Sequence, residues 1–445
     1  MIFLKGKSSR LGLQFTILST TLLAAMKGNY FRLSFLISAI LSIAALLSAE
    51  PSFVSAGSKQ RAANADKSHP DLFVQLLGKD KKDVEAKIGS AFSQLFFGDD
   101  STQRIYYPAG DGTGYVEDIA NHDVRTEGMS YGMMIAVQMD RKDVFDRIWK
   151  WAKTHMQNKS GPHEGYFAWH CNTDGTMLDS NAASDGEEWF ATALFFASAR
   201  WGNGEGIYDY RKEANGILNT MLHKENEPGH DGVTNMFNRK EKLVVFVPTV
   251  HADGFTDPSY QLPHYYELWA KWAEKDNGFW REAATSSREL LKNAANPTTG
   301  LSPDYCNFDG TPVKWWRGGH EDFRFDAWRV AMNVAMDHEW FGKDDWEVTE
   351  CNRLLDFFSH KGINDYGNQY TLDGDELGKD HSTGLVAMNA VAALASTNEN
   401  RKDFVEALWD AKIPRGYYRY YDGVLYMMAL LQVSGNFRIY GPIEK

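Results

Sequence analysis

Three stretches of this chain each set a carboxylate at the mouth of an apolar helical run. The first, Asp123–Val137 (DVRTEGMSYGMMIAV), carries Glu127 between a charged loop and apolar residues, with Met129, Met133, Met134 and Val137 spaced for one helix face. The second, Asn181–Ala193 (NAASDGEEWFATA), offers Asp185, and the third, Arg324–Val334 (RFDAWRVAMNV), offers Asp326. Taken singly, each reads equally as a first-turn acid favoured by the helix dipole, a cap, or a surface ion pair. Taken together they suit acid–base chemistry on a glycosidic bond. That reaction needs one carboxyl group to protonate the leaving oxygen and a second, on the other side, to activate water or attack directly. Arg324 and Arg329 would keep Asp326 ionised, as a base requires, while burial or a neighbouring carboxylate would hold the proton on Glu127. Gly128, Ser130 and Gly132 thin the start of the first run, which is expected to let a ligand approach its backbone. Trp189 is a candidate sugar platform, with a place in the core as the alternative.

The elements that must position these groups are helical. Twelve helices are expected, at 82–98, 126–139, 143–156, 185–201, 208–222, 259–274, 278–296, 323–340, 344–360, 383–396, 401–412 and 419–433, with almost no alternating strand pattern. Their characters alternate. The first, third and so on are amphipathic (KDVEAKIGSAFSQLF, RKDFVEALWDAK), whereas every second one is small and apolar nearly all round (ATALFFASA, GLVAMNAVAALA). A helix apolar on every side is buried and one with a polar face is external. The pattern therefore predicts an all-α (α/α)6 barrel, six hairpins closed into an inner and an outer ring. Inner helices running one way would open their N-termini on one face, and Glu127, Asp185, Tyr260, Asp326 and Tyr420 all lie at or just before such starts. The connections leading there (98–126, 157–185, 223–259, 297–323) are long and rich in Gly, Asp, Trp and Tyr, so the site is expected on that face.

Composition narrows the partners. The 445 residues carry a formal net charge of −12, which argues against nucleic acid and gives no reason for an anionic membrane surface. Fourteen Trp, 20 Tyr and 26 Phe supply flat faces for pyranose rings, although large helical cores use aromatics too. Cys171, Cys306 and Cys351 have no metal or redox spacing and read as free buried thiols, with a single bridge as the alternative. No HExxH occurs, Gly110–Gly114 (GDGTG) lacks the lysine of a phosphate loop, Gly128–Gly132 matches G-x-S-x-G without a preceding strand, and Asp373–Asp380 (DGDELGKD) fails the EF-hand pattern. No metal or other cofactor is expected. At the N-terminus, Leu33–Ala49 (LSFLISAILSIAALLSA) follows Lys27 and Arg32 and ends in small residues, the grammar of an export signal cleaved near Ala49 or Ala56. Met26 would then be the true start, with Leu11–Met26 an over-long extension. The chain divides into residues 1–50 (export segment), 51–70 (polar linker) and 71–445 (catalytic domain). The expectation is an exported, periplasmic or secreted monomer, free of the membrane once the signal is removed.

The stretches DVRTEGMSYGMM, FAWHCN, SDGEEWF, FTDPSYQLPHYYELW and FRFDAWRVAMN, in this order and at this spacing, resemble glycoside hydrolase family 8 over about residues 71–440. The resemblance implies an (α/α)6 barrel and metal-free hydrolysis with inversion. It implies Glu127 as general acid, Asp326 as general base, Asp185 as the carboxylate that binds and distorts the sugar at the cut, and Tyr260 as the holder of the attacking water. Trp169, Phe325 and Arg329 match substrate contacts. The wording DVRTEGMSYGMMIAVQMD and GHEDFRFDAWRVAMNVAMDHEWFG is most similar to the family's reducing-end xylose-releasing exo-oligoxylanases, which implies xylo-oligosaccharide as substrate. The loop that would block the cleft after one xylose is then Leu377–Thr383 (LGKDHST), with His381 as a contact to the reducing-end sugar and Tyr420 as a further cleft contact. Rival readings are an endo-xylanase, β-glucanase or chitosanase of the same family, a polysaccharide lyase on a similar toroid, and a non-catalytic glycan-binding protein.

Overall fold

The computed structural model describes residues 69–441 except Trp316; the export segment, most of the linker and the choice of start at Met26 lie outside the described residues. Thirteen α-helices follow one another: α1 Leu72–Leu77, α2 Lys81–Phe97, α3 Thr126–Gln138, α4 Lys142–Trp151, α5 Ser184–Trp201, α6 Tyr210–His223, α7 Pro263–Trp272, α8 Asn277–Ala294, α9 Trp328–Trp340, α10 Trp346–Lys361, α11 Thr383–Ala392, α12 Arg401–Asp410 and α13 Arg419–Val433. All twelve expected helices are present. The short α1 was not foreseen: its six residues are too few to show a period, and it is held by an Asp71 cap and by Phe73 against Trp409 of α12, ring centroids 5.2 Å apart.

Alternation of character becomes alternation of layer. In α11 every residue from Gly384 to Ala392 is buried, and in α3 all but Glu127 are. On α4, by contrast, Val144, Phe145, Ile148 and Trp149 form one buried stripe and the other face carries Lys142, Asp146 and Arg147. Each large apolar side chain moved out of water contributes about 1.5–3 kcal/mol, so the inner ring is where the apolar surface is spent most densely. Around the inner ring α3 meets α5, α7 meets α9, α9 meets α11, α11 meets α13 and α13 returns to α3. Between α5 and α7 the seam is aromatic and polar, with Trp189 edge-on to Tyr265 at 4.9 Å and Trp269 Nε1 donating to Thr192 Oγ1 at 3.1 Å. The end of the chain seals the floor of the ring: Phe437 stacks on Trp340 at 5.7 Å and Gln138 Nε2 donates to the Arg438 carbonyl at 2.9 Å.

Three boundaries differ from expectation for backbone reasons. Residues 259–274 are not one helix. Pro258–Tyr260 forms a separate 3-10 turn, and Pro263 holds Leu262 outside the helical region before α7 starts. Phe325–Ala327 is likewise a 3-10 turn that leads into α9. Beyond Trp151, residues Ala152–Met156 widen into a π turn. The long connections also hold nine short strands in two- and three-stranded sheets, from β1 (Tyr106–Ala109) and β2 (Thr113–Val116) onward. Those that matter at the site are β3 (Asp123–Arg125), paired with β4 (His170–Asn172), itself paired with β5 (Met177–Asp179), and the hairpin of β8 (Gln369–Tyr370) with β9 (Glu376–Gly378). Two or three residues are too short for an alternating pattern to show in sequence. The three cysteines are unpaired and buried. No helix of the described residues is long and apolar enough to cross a membrane.

Candidate active site

A cleft of about 790 Å³ opens where the N-termini of the inner helices meet, and Glu127, Asp185, Tyr260 and Asp326 all line it. The first residues of α3 are fixed by β3, whose Arg125 pairs with His170, and by the Thr126 amide donating to the Trp169 carbonyl at 3.1 Å. That pairing places Glu127 in the first turn of α3, close to Trp169 on the adjoining strand connection. None of the six inner helices has a side-chain cap at its start. The positive ends of their dipoles favour negative charge at this face, and at α11 the Gly384 amide donates to Asp422 Oδ1 at 2.8 Å.

Arg329, on the first turn of α9, joins the carboxylates. Its Nη1 donates to Glu127 Oε2 at 2.9 Å, to Asp185 Oδ2 at 3.0 Å and to Tyr131 Oη at 2.8 Å, while Nη2 donates to Ser259 Oγ and lies 3.0 Å from Asp326 Oδ1. Three acids from three different helix mouths thus share one guanidinium. Glu127 also accepts from Tyr420 Oη at 2.9 Å. Burial pushes the Glu127 carboxyl up to about 7; Arg329 opposes this, and Asp326 and Asp185 add to it. Burial likewise carries Asp185 up to about 6, against Arg329 and with Asp326. Glu127 can therefore hold a proton near neutral pH, while Asp326, the most solvent-open of the three, faces the cleft beside a fixed positive charge. Tyr260 is set by its 3-10 turn, with Arg329 Cζ 5.7 Å from its ring centre and Phe246 stacked behind it at 6.1 Å.

The sugar-contact expectations divide. Trp169 lines the cleft, held by Nε1 to Asp179 Oδ2 at 3.0 Å; Phe325 lines it with 46 % of its surface open; and exposed His381 lines it with Nδ1 donating to the Tyr366 carbonyl at 2.9 Å. Tyr420 lines it too, with its hydroxyl committed to Glu127. Trp189 does not reach the cleft. It is 2 % exposed and wedged edge-on between Tyr131 and Tyr265, a core residue of the α3–α5–α7 seam. Arg329 lines the cleft as well, with 1 % of its surface open and its guanidinium clamping the carboxylates. The glycines are corrected as well. A Cβ on Gly128 would meet the Tyr420 ring at 2.6 Å and one on Gly132 would meet Val116 at 2.8 Å, so these residues admit neighbouring protein rather than ligand.

Several lining residues were not singled out in the sequence: Asp118, Asn121 and Arg125 on one side, Gln369, Tyr417, Tyr418 and Tyr421 on the other. Asp118, Asn121 and Arg125 had only their place in the long connection 98–126 to mark them; Gln369, Tyr417, Tyr418 and Tyr421, the last within α13, had no such signal. Asp257 and Asp304 were missed too. Each offers a carboxylate oxygen to a cluster with Asp326 in which all three lie within 4.8 Å of one another, an arrangement that could hold a metal ion, although Arg329 already brings positive charge to it and His320 Nδ1 already takes an Asp304 oxygen. The D-P-S run before Tyr260 carried a cap signal for Asp257; nothing marked Asp304.

The model of the glycosyl hydrolases family 8 matches residues 107–435. The chain belongs to family 8. Its family relatives include the reducing-end xylose-releasing exo-oligoxylanase Rex8A of Paenibacillus barcinonensis, 47 % identical over 377 residues, 84 % of this chain and 97 % of the relative. A reducing end xylose-releasing exo-oligoxylanase of Halalkalibacterium halodurans is 46 % identical over 84 % of this chain and 95 % of its own. Among solved structures, a catalytic mutant of the family 8 xylanase of Teredinibacter turnerae, in complex with xylohexaose, superposes with a TM-score of 0.81 at 46 % identity, covering 84 % of this chain and 98 % of that one. The family 8 fold and the inner-ring cleft are the same features that the spacing of helices and acids anticipated.

Proposed function

We propose that this family 8 hydrolase cleaves β-1,4-linked xylo-oligosaccharides by single displacement and releases xylose from the reducing end. The observation that carries the reading is the convergence of Glu127 and Asp326 on the two ends of one guanidinium, at 2.9 and 3.0 Å, across a single cleft. In the reaction Glu127 gives its proton to the glycosidic oxygen as the bond from that oxygen to the anomeric carbon breaks. Asp326 takes a proton from the water whose oxygen bonds to that carbon, and Tyr260 holds the water. Asp185, clamped by Arg329, receives sugar hydroxyls at the cut. Trp169 and Phe325 present aromatic faces to the rings, and Asp380–Ser382, anchored by the β8–β9 hairpin, borders the cleft where a released xylose would sit.

The similarity to the exo-oligoxylanases supports the exo reading. The equally similar Teredinibacter xylanase supports a second one, endo attack on longer chains. Xylohexaose labelled at its reducing end separates them. Exo action gives labelled xylose and unlabelled xylopentaose as the first products; early labelled xylobiose or xylotriose would establish endo action instead. We further propose that the chain is exported and acts outside the cytoplasm, since Leu33–Ala49 has the make-up of a cleaved signal. The N-terminal sequence of the mature protein, read from an extracellular or periplasmic fraction, tests that directly.

A further inference from the structure

Behind the water-activating side of the cleft lie two acids that the reaction above leaves unused. Asp257 is completely buried and Asp304 nearly so. Asp257 Oδ1 accepts from the Ser259 amide at 2.7 Å and so caps the 3-10 turn that carries Tyr260. Asp304 Oδ2 pairs with His320 Nδ1 at 2.6 Å, and its carboxylate lies beside that of Asp326. The remaining oxygens, Asp257 Oδ2 and Asp304 Oδ1, are buried with no donor to satisfy them. A carboxylate oxygen of each lies within 4.8 Å of the other and of Asp326. Three ionised carboxylates so close, two of them cut off from water, repel one another strongly, and orphaned buried acceptors are costly. The cations facing the group are Arg329 and Arg324, the first already shared among four other acceptors, and the His320 imidazole beside them is held toward its neutral form by burial.

We infer that Asp257 and Asp304 are a proton-sharing carboxyl pair that positions Tyr260 and Asp326, the two groups that hold and deprotonate the attacking water. A proton held by the pair supplies a donor where the orphan oxygens have none, and it removes a charge from the back of Asp326 while leaving the Tyr260 turn tied. Burial, with the Asp326 charge second, raises both carboxyls well above the usual carboxylate range, in accord with retention of that proton. Neither acid lines the cleft; Asp257 acts through the turn it caps and Asp304 through the charge it sets beside Asp326.

The assay arm of the test rests on the hydrolase reading above, whereas its infrared arm needs no substrate. Full-length wild type is compared with Asp257→Asn, Asp304→Asn, Asp257→Ala and Asp304→Ala, the amides standing in for a neutral carboxyl of the same shape. In infrared difference spectra at neutral pH, at least one Asn variant should remove a protonated-carboxyl C=O band. That variant should keep kcat on xylotriose within about tenfold, while the Ala change at the same position lowers kcat about 100-fold with KM little altered, the scale expected for a displaced reacting group. Absence of the band from both difference spectra would overturn the shared proton. Wild-type kcat in both Ala variants would overturn the positioning role. Loss of wild-type activity in EDTA with recovery in calcium would make the cluster a cation site instead. If an Ala variant does not fold, as circular dichroism would reveal, the infrared band and kcat of its Asn counterpart decide the matter.

Discussion

Glu127 must carry a proton when the leaving oxygen departs, and its surroundings are arranged for that and against it at once. Burial and two acids hold the proton on; Arg329 and the Tyr420 hydroxyl stabilise the ionised form. With the carboxyl at about 7, activity should fall as pH rises beyond neutrality, because the ionised acid has no proton to give. Tyr420→Phe removes one contact that favours the anion, so the alkaline limb of the kcat/KM profile should move to higher pH; a shift to lower pH would refute the assignment. Glu127→Ala and Asp326→Asn should each lower kcat by roughly 10²–10⁴-fold, with thermal unfolding little changed. Near-wild-type turnover in either variant would remove that residue from the chemistry. Glu127, Asp185 and Asp326 were legible in the sequence because each stands at a helix mouth beside an apolar run. The clamp role of Arg329 was not legible, since an arginine three residues after Asp326 gives no sign that it also reaches α3 and α5.

At the scale of elements, the inner ring works because its members approach closely where they carry the acids. Gly186 has Thr126 beside it, where an added Cβ would come to 2.4 Å, and Gly128 has the Tyr420 ring at 2.6 Å. Gly186→Ala or Gly128→Ala should therefore push α3 away from α5 or α13. Each is expected to cost about 1–3 kcal/mol in urea unfolding and to lower kcat more than it raises KM. An unchanged midpoint would mean that the seam has slack. Two further acids of α5, Glu187 and Glu188, are buried and pushed well above the usual range by burial, each with an unpartnered Oε2. Acids whose folded pKa is raised stabilise the fold fully below their unfolded value and lose that contribution as pH climbs through the folded one. With Asp185 at about 6 and Glu127 at about 7, the melting temperature should decline from about pH 4.5 toward pH 8. Glu187→Gln should flatten that decline; an unaltered slope would assign it elsewhere. The twelve long helices could be read from period and polarity. The strand pairs that pin the mouths of α3 and α11 could not, because two or three residues carry no period. The break at Pro263 was visible in the sequence, but the apolar run around it suggested one continuous helix.

Over the whole molecule, six hairpins turn widely separated segments into one face with function and one face with closure. The functional face holds the long connections; the opposite face is shut by the chain's own end, where Phe437 lies buried on Trp340 and Tyr440 sits under Arg200 at 4.5 Å. Phe437→Ala should destabilise by about 3–5 kcal/mol, read as a lowered unfolding midpoint, yet leave kcat/KM of the folded protein near wild type, since the cleft lies at the other end. A selective loss of kcat/KM without destabilisation would show that floor and cleft are coupled. Closure by the tail had no signal in sequence: Phe437 and Tyr440 are single aromatics in a stretch without helical period. All of this serves one arrangement, Glu127 and Asp326 working across a single glycosidic bond with a water between the sugar and Asp326. Proton NMR of the first turnovers on xylotriose tests it most directly. The newly formed reducing end of xylobiose should appear first as the α-anomer and then mutarotate; first appearance as the β-anomer would rule out single displacement.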